Sequence, residues 1–294
     1  MLYSICKKSF AVFWLLLLLS GCNHLFYHPD YEIRATPKAL NIPYKEQRLK
    51  LDEDTSLHVW HMSAGVNSHG TVIHFHGNAE NMTTHFLFVS WLVKHGYDVV
   101  TFDYRGYGQS SGIPTREGLV QDGAAVINWL RKLKKSGTAS KDIFIFGQSL
   151  GGAVAIPAVI AAGQENIRAV VVDSTFASYR EITRDRLGTF FLTWPLQYPL
   201  SYLVSDDLSP VDHVKQLDAP LLVVHGIRDH VVPIEFGRRL FNEARPERRE
   251  FWEVELSGHT SGFFAESTPY KPRLTDYLCK KSSTPLDCQP SDKK

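Results

Sequence analysis

Net charge is almost absent from this chain: 32 Lys and Arg stand against 31 Asp and Glu, a formal balance of +1. No concentrated excess of basic residues is available to neutralise a phosphate backbone, which excludes nucleic acid as the main partner. Internal repeats and long low-complexity tracts are also missing. The conspicuous apolar run, Phe10 to Leu19, is too short to cross a bilayer as a permanent helix. Cysteine is sparse, with four in 294 residues. What remains is an ordinary globular composition, 44% hydrophobic and 21% charged, long enough for one large domain with a substantial core.

Lys7 and Lys8 precede the apolar run, and Leu19-Ser20-Gly21-Cys22 closes it. That layout predicts an export signal over 1–21. The closing tetrapeptide resembles the lipobox of bacterial lipoproteins. The resemblance implies that Cys6 is discarded, that Cys22 becomes the first mature residue and carries lipid, and that the chain meets a membrane through this anchor. Asn23 in place of an aspartate implies an outer-membrane address in a Gram-negative cell envelope. An uncleaved signal anchor is the alternative, against which the small residues Ser20 and Gly21 weigh. Cys279 and Cys288 are then an even pair in an exported protein and are expected to form a disulfide. So short a loop contributes about 2–3 kcal/mol in the chain-entropy picture and ties down a polar tail over 281–294. Two free thiols are the alternative.

Residues 22–47, with Pro29, Pro37 and Pro43, read as an extended tether whose Leu25, Phe26 and Tyr27 are expected to pack on the domain, with a place at the lipid surface as the alternative. Arg48 to Leu51 and Ser56 to Met62 read as an antiparallel pair around Asp52-Glu53-Asp54. Apolar strands at 71–75, 97–102, 143–146, 168–172, 221–224 and 251–256 then alternate with helical spacing at 81–94, 116–134 and 150–162. Alternation of this kind predicts an α/β domain over 48–280 with a mainly parallel central sheet and helices on both faces. Ligands bind beyond the carboxyl ends of such strands. Pro157 falls inside the third helix and predicts a bend there.

The densest chemical signal is Gly147-Gln148-Ser149-Leu150-Gly151. A buried strand precedes it and a small-residue helix follows, which makes it a nucleophile elbow with Ser149 as nucleophile. The turn is too tight for flanking side chains, and the helix N-terminus favours developing negative charge. A serine needs a base and the base an orienting acid. His259, in Leu256-Ser257-Gly258-His259 after the last expected strand, is the candidate base, with Gly258 letting the loop turn back. Asp229, in the run from His225 to Pro233, is the candidate acid. A helix cap or turn is the alternative role for Asp229.

The elbow, His-Gly-x-x-Asp-x-x-Val-Pro at 225–233, Gly-His at 258–259, His76-Gly77-Asn78-Ala79-Glu80-Asn81 and the run from Asp103 to Ser110 together resemble the α/β-hydrolase superfamily. The closest branches are compact serine hydrolases often labelled serine aminopeptidase-like, and the resemblance spans about Arg48 to Leu278. It implies the chain order Ser149, Asp229, His259 and an oxyanion hole made by the backbone N–H groups of Asn78 and Leu150. It implies no cofactor and no metal. A metal pair at His74-x-His76 is the competing idea for that segment, and it lacks a third ligand. Asp103 and Arg105 are expected to brace loops in an ion pair or turn network.

Between Thr175 and Pro210 the strand–helix rhythm breaks, and Phe176, Tyr179, Phe190, Phe191, Trp194, Tyr198 and Tyr202 accumulate. A helical cap over about 175–210 is expected. Its aromatics either shape an acyl pocket or pack as core, and the sequence leaves both open. An aromatic cap and the lack of an acidic pair to grip a substrate amine favour hydrolysis of carboxylic esters or thioesters of small-molecule or acyl substrates. A serine peptidase of the same fold and a non-catalytic envelope lipoprotein are the alternatives. Haloalkane or epoxide chemistry is disfavoured, because the elbow carries serine and not aspartate.

Overall fold

The computed structural model describes residues 26–135, 142–265 and 268–283. The expected signal, Cys22 and Cys288 lie outside the described residues, and so does the pairing of Cys279 with Cys288. Eight strands form the main sheet: β1 (Tyr44–Lys50), β2 (Ser56–Met62), β3 (Gly70–Phe75), β4 (Tyr97–Phe102), β5 (Ile143–Gln148), β6 (Ile167–Asp173), β7 (Leu221–Gly226) and β8 (Arg249–Val254). Their spatial order is 1-2-4-3-5-6-7-8. All pairings are parallel except the two made by β2, which runs antiparallel to both β1 and β4. The principal helices are α1 (Arg116–Lys135), α2 (Leu150–Ala162), α3 (Tyr179–Thr189), α4 (Ile234–Glu243) and α5 (Tyr270–Lys281).

Strands β3, β4, β5 and β7 are buried along their whole length. Continuous burial is what a parallel strand covered on both faces requires, and it explains their near-unbroken apolar runs. Successive side chains alternate between two cores. Ile73, Val100, Ile145 and Val223 join α1 and α2 on one face. Val72, Val99, Phe144 and Leu222 join α5 and the segment after β3 on the other. Strand β1 is the outer edge, and its Lys45, Glu46, Arg48 and Lys50 suit an edge that must not recruit another strand. Those same charges hide its start, which lies at Tyr44 and not at Arg48.

The tether expected over 22–47 is a docked segment wherever it is described. Tyr27 is buried, His28–Pro29 pairs in parallel with Ala79–Glu80, and Pro37–Leu40 forms a 3-10 turn before β1. The single helix expected at 81–94 is broken into Met82–His85, a 3-10 turn at Phe86–Phe88, and Trp91–Lys94. Phe86, Val89 and Leu92 are all fully buried, and a spacing of three suits 3-10 turns better than an α-helix. Helix α2 runs unbroken through Pro157, its buried length sandwiched between the sheet and α1. At the other end of the sheet Asp142 accepts hydrogen bonds from Ser282 Oγ, Ser283 N and Arg168 Nε, which holds the exit of α5 against the start of β5.

Phe144 sits at the centre of the second core, fully buried, with its ring edge-on to Tyr97 at 5.7 Å. Phe144→Ala is expected to lower the unfolding free energy by about 3–5 kcal/mol. Urea denaturation followed by circular dichroism measures this, with an unchanged slope showing that the loss is packing alone.

Candidate active site

Every candidate site residue leaves the sheet at a strand's carboxyl end, Asn78 after β3, Ser149 after β5, Asp229 after β7 and His259 after β8. Ser149 adopts φ 53° and ψ −118°, a positive φ that is uncommon for a residue with a Cβ. The conformation is over-determined by its surroundings. Ser149 N donates to Asp173 O at 2.9 Å, while the Ser149 carbonyl accepts from Gly152 N and from the Thr175 hydroxyl. A Cβ on Gly147 would lie 2.6 Å from Gly152 Cα, and one on Gly151 would lie 2.0 Å from the Phe75 carbonyl oxygen. Both glycines are therefore dictated by backbone-to-backbone contact.

Asp229 is buried, and its carboxylate is fully engaged. Oδ1 accepts from the N–H groups of Val231 and Val232 at 2.9 and 2.8 Å, and Oδ2 accepts from His259 Nδ1 at 2.8 Å. Burial alone would raise its pKa; the His259 and backbone hydrogen bonds outweigh it and hold the carboxyl below the usual carboxylate range. The imidazole keeps 22% of its surface exposed. No hydrogen bond joins Ser149 Oγ to His259 among the described residues.

The loop carrying His259 turns through Leu256 and Thr260, with φ of 57° and 50°. Gly258, expected to make that turn, has no positive φ. The close approach belongs to Gly226, where a Cβ would lie 2.5 Å from the carbonyl oxygens of Ser257 and Gly258. The loops after β7 and β8 are thereby zipped together, with Arg228 N donating to Ser257 O at 3.0 Å.

Asn78 divides its labour. Its side chain accepts from Tyr107 Oη and His28 N and donates to Phe26 O. Its backbone N–H and that of Leu150 have no acceptor among the described residues. Asn78, Leu150 and Ser149 share one cavity of about 460 Å³. The walls are apolar: Phe26 and Tyr27 from the amino-terminal segment, Phe176, Tyr179, Ile182 and Leu187 from the cap, and Val231 and Val232 from the Asp229 loop. Among the described residues Arg186 is the charged lining residue, and no carboxylate lines the cavity.

The aromatics at 175–210 therefore divide in a way neither expectation covers. Phe176 and Tyr179 are buried and line the cavity, whereas Phe190, Phe191, Trp194, Tyr198 and Tyr202 are exposed and belong to neither pocket nor core. Helix α3 presents Ile182 and Leu187 to the cavity, and the chain beyond it lies on the outside. Asp103 and Arg105 brace loops with different partners. Arg105 forks onto the buried Asp122, and Asp103 accepts from Met82 N and Gln109 N.

His74 and His76 are both fully buried. His74 Nε2 donates to Gln148 Oε1 at 2.9 Å, and His76 Nδ1 donates to the Gly77 carbonyl at 2.8 Å. Burial pushes the His74 pKa down to about 3, so the ring is a neutral strut beneath the elbow. Among the described residues no cluster of three His, Cys, Asp or Glu is arranged to hold a metal ion.

Sequence reasoning missed Asp173, the last residue of β6. Its carbonyl anchors Ser149 N, its Oδ1 accepts from Ser174 Oγ at 3.1 Å, and Ser174 Oγ in turn accepts from Thr260 N at 3.0 Å. One short chain of bonds thus links the Ser149 turn to the loop that carries His259. A carboxylate at a strand's carboxyl end is the signal that singled out Asp229; here the strand was expected to stop one residue early. Burial pushes the Asp173 carboxyl up to about 7, against the pull of Ser174, His259 and Gln148.

The family model described as serine aminopeptidase, S33, matches residues 66–210. An uncharacterized protein, YfhR, of Escherichia coli K12 is 32% identical over 258 residues, covering 83% of this chain and 85% of its own length. The lysophosphatidylserine lipase ABHD12 of Macaca fascicularis is 30% identical over 76% of this chain and 59% of its own. Among solved structures, the Pyrococcus furiosus esterase Pf2001 superposes with a TM-score of 0.70 at 24% identity, covering 87% of this chain and 97% of the other. Est1E of Butyrivibrio proteoclasticus, solved with ferulic acid, gives 0.62 at 16% identity over 80% of this chain and 98% of the other. The architecture is that of the α/β-hydrolase fold.

A carboxyl with a raised native pKa favours its neutral form. The stability it lends is complete below the ordinary value of 3.8 and is lost as pH rises through about 7. Asp173→Asn, neutral at every pH, is expected to melt with wild type near pH 4 and above it near pH 8. The gap grows by up to about 1.4 kcal/mol per pH unit between those limits, and calorimetric melts across the range measure it.

Proposed function

The chain belongs to the α/β-hydrolase family described as serine aminopeptidase, S33, and is a hydrolase; from that premise we propose that it cleaves carboxylic esters or thioesters through an acyl-enzyme. The observation that carries the reading is a strained serine at the foot of an apolar cavity, with a hydrogen-bonded His–Asp pair on the adjoining loops. Ser149 Oγ attacks the acyl carbonyl while His259 Nε2 takes its proton. Asp229 holds Nδ1–H, fixes the tautomer and stabilises the imidazolium. The Ser149–His259 contact closes with substrate in place, as catalytic hydrogen bonds of this kind commonly do. Charge developing on the carbonyl oxygen is received by the N–H groups of Asn78 and Leu150, each worth roughly a hundredfold or more in rate. His259 then protonates the leaving alcohol or thiol, and water repeats the sequence to release the acid.

The cavity's lining favours acyl transfer over aminopeptidase chemistry. A substrate ammonium entering it meets, among the described residues, no carboxylate, and the Arg186 guanidinium repels it; burying an unpaired charge is strongly unfavourable. At about 460 Å³ the space suits an acyl chain of moderate length. The relatives named as a lipase and as esterases agree with that choice.

We also propose that Cys22 is acylated and fixes the protein to the envelope membrane. Four peptide units separate Cys22 from Phe26 on the cavity wall, a reach of at most about 14 Å. The anchor would then hold the cavity close to the lipid surface.

A fluorophosphonate probe is expected to label wild type and to leave folded Ser149→Ala unlabelled; absence of labelling in wild type overturns the reading. Ser149→Ala and His259→Ala are each expected to lower turnover by about 10⁴–10⁶, with Asp229→Ala milder. A chain-length series of p-nitrophenyl esters is expected to outpace aminoacyl amides, and the reverse order would favour a peptidase.

A further inference from the structure

An exposed apolar surface occupies the outside of the cap. Phe190, Phe191, Leu192, Trp194, Tyr198 and Tyr202 are each between 53% and 76% exposed, within thirteen consecutive positions. No charged residue occurs from 187 to 205. Singly exposed apolar side chains are normal, but a contiguous block of this size marks a surface that is covered in use. Its composition is that of a membrane interface: phenylalanine and leucine together, with tryptophan and tyrosine beside them. Arg184 lies 4.7 Å over the Tyr198 ring and Arg180 5.4 Å over Tyr202, so two guanidinium groups are held against the aromatic rim on their own stems. That is the amphipathic arrangement a headgroup layer accepts.

Two further features select a lipid bilayer as the occupant. The patch follows the cavity wall directly along the chain: Arg186 and Leu187 line the cavity, and Phe190 begins the exposed run three residues later. Phe26 also lines this cavity and lies four residues after Cys22, the lipid anchor proposed above, so an anchored chain would keep the cavity near the lipid surface. We infer that the face built by 190–203 inserts shallowly into a phospholipid interface and that the cavity draws its acyl substrate directly from that layer. The surface half of this inference stands on exposure and composition; the substrate half rests on the ester-hydrolase reading.

The test uses the full chain with and without Phe191→Ser and Trp194→Ser, two exposed positions outside the cavity, so that both proteins share the same amino terminus. Binding is read on a Ser149→Ala background with mixed phosphatidylethanolamine–phosphatidylglycerol vesicles carrying brominated acyl chains. Trp194 fluorescence is expected to be quenched on adding vesicles, by comparison with Trp194→Phe. Absence of quenching overturns the surface inference, and so does a wild-type dimer that the double variant converts to monomer, because a second copy would then cover the face. Activity is read separately. The double variant is expected to lose about tenfold or more in kcat/KM on a long-chain ester embedded in vesicles and to keep its rate on a soluble short-chain ester within about twofold. Equal losses on both substrates overturn the substrate half, whereas quenching without hydrolysis of either ester overturns the ester-hydrolase reading and leaves the membrane surface standing.

Discussion

Two backbones meet at the carboxyl end of the sheet with no room between them, and the site is built around that meeting. Gly151, in the first turn of α2, lies against the carbonyls of Phe75 and His76 where β3 runs into its loop. The contact holds the helix that follows Ser149 hard against the segment that carries Asn78. Ser149, two residues before that contact, holds its positive φ against it. The placing of Ser149 against the two N–H groups proposed as oxyanion donors is therefore governed by sheet packing more than by loop preference. A methyl group at 151 would separate both elements at once.

A second level of order ties the remaining loops to this point. Ser149 N, the Asp173 carbonyl and carboxyl, Ser174 Oγ and Thr260 N form a continuous relay from the elbow to the histidine loop. The zipped loops after β7 and β8 bring Asp229 to the same imidazole. Buried networks of this kind act as a unit, because each member is expensive to leave unpaired in a low-dielectric setting. With Asp173 pushed toward its neutral form, Asp229 is the carboxylate that holds its charge beside His259.

What was legible in the sequence follows from how strongly each feature is determined locally. Strand β4 and helix α2 were readable to the residue, since their apolar patterns have no plausible second interpretation. The elbow was readable because its glycines answer a steric demand within five residues. Edge strand β1 was read short, its charges serving solubility at the cost of strand signal. The segment 81–94 was misjudged because a three-residue burial period differs only slightly from a helical one over so few turns. The cap aromatics could not be sorted at all. Whether Phe176 faces a cavity and Phe191 faces outward depends on where α3 stops, and the composition of the segment does not contain that.

The amino-terminal segment completes the chamber that the sheet alone leaves open. Phe26 and Tyr27 form one wall of the cavity, and the clasp that seats them is the Asn78 side chain, whose own backbone faces Ser149. The domain can therefore complete its sheet while its chamber still lacks a side. Shortening the chain past His28 would leave that side open and strip the Asn78 side chain of two of its three hydrogen bonds, so the first described residues are structural members of the chamber and not an appendage to it.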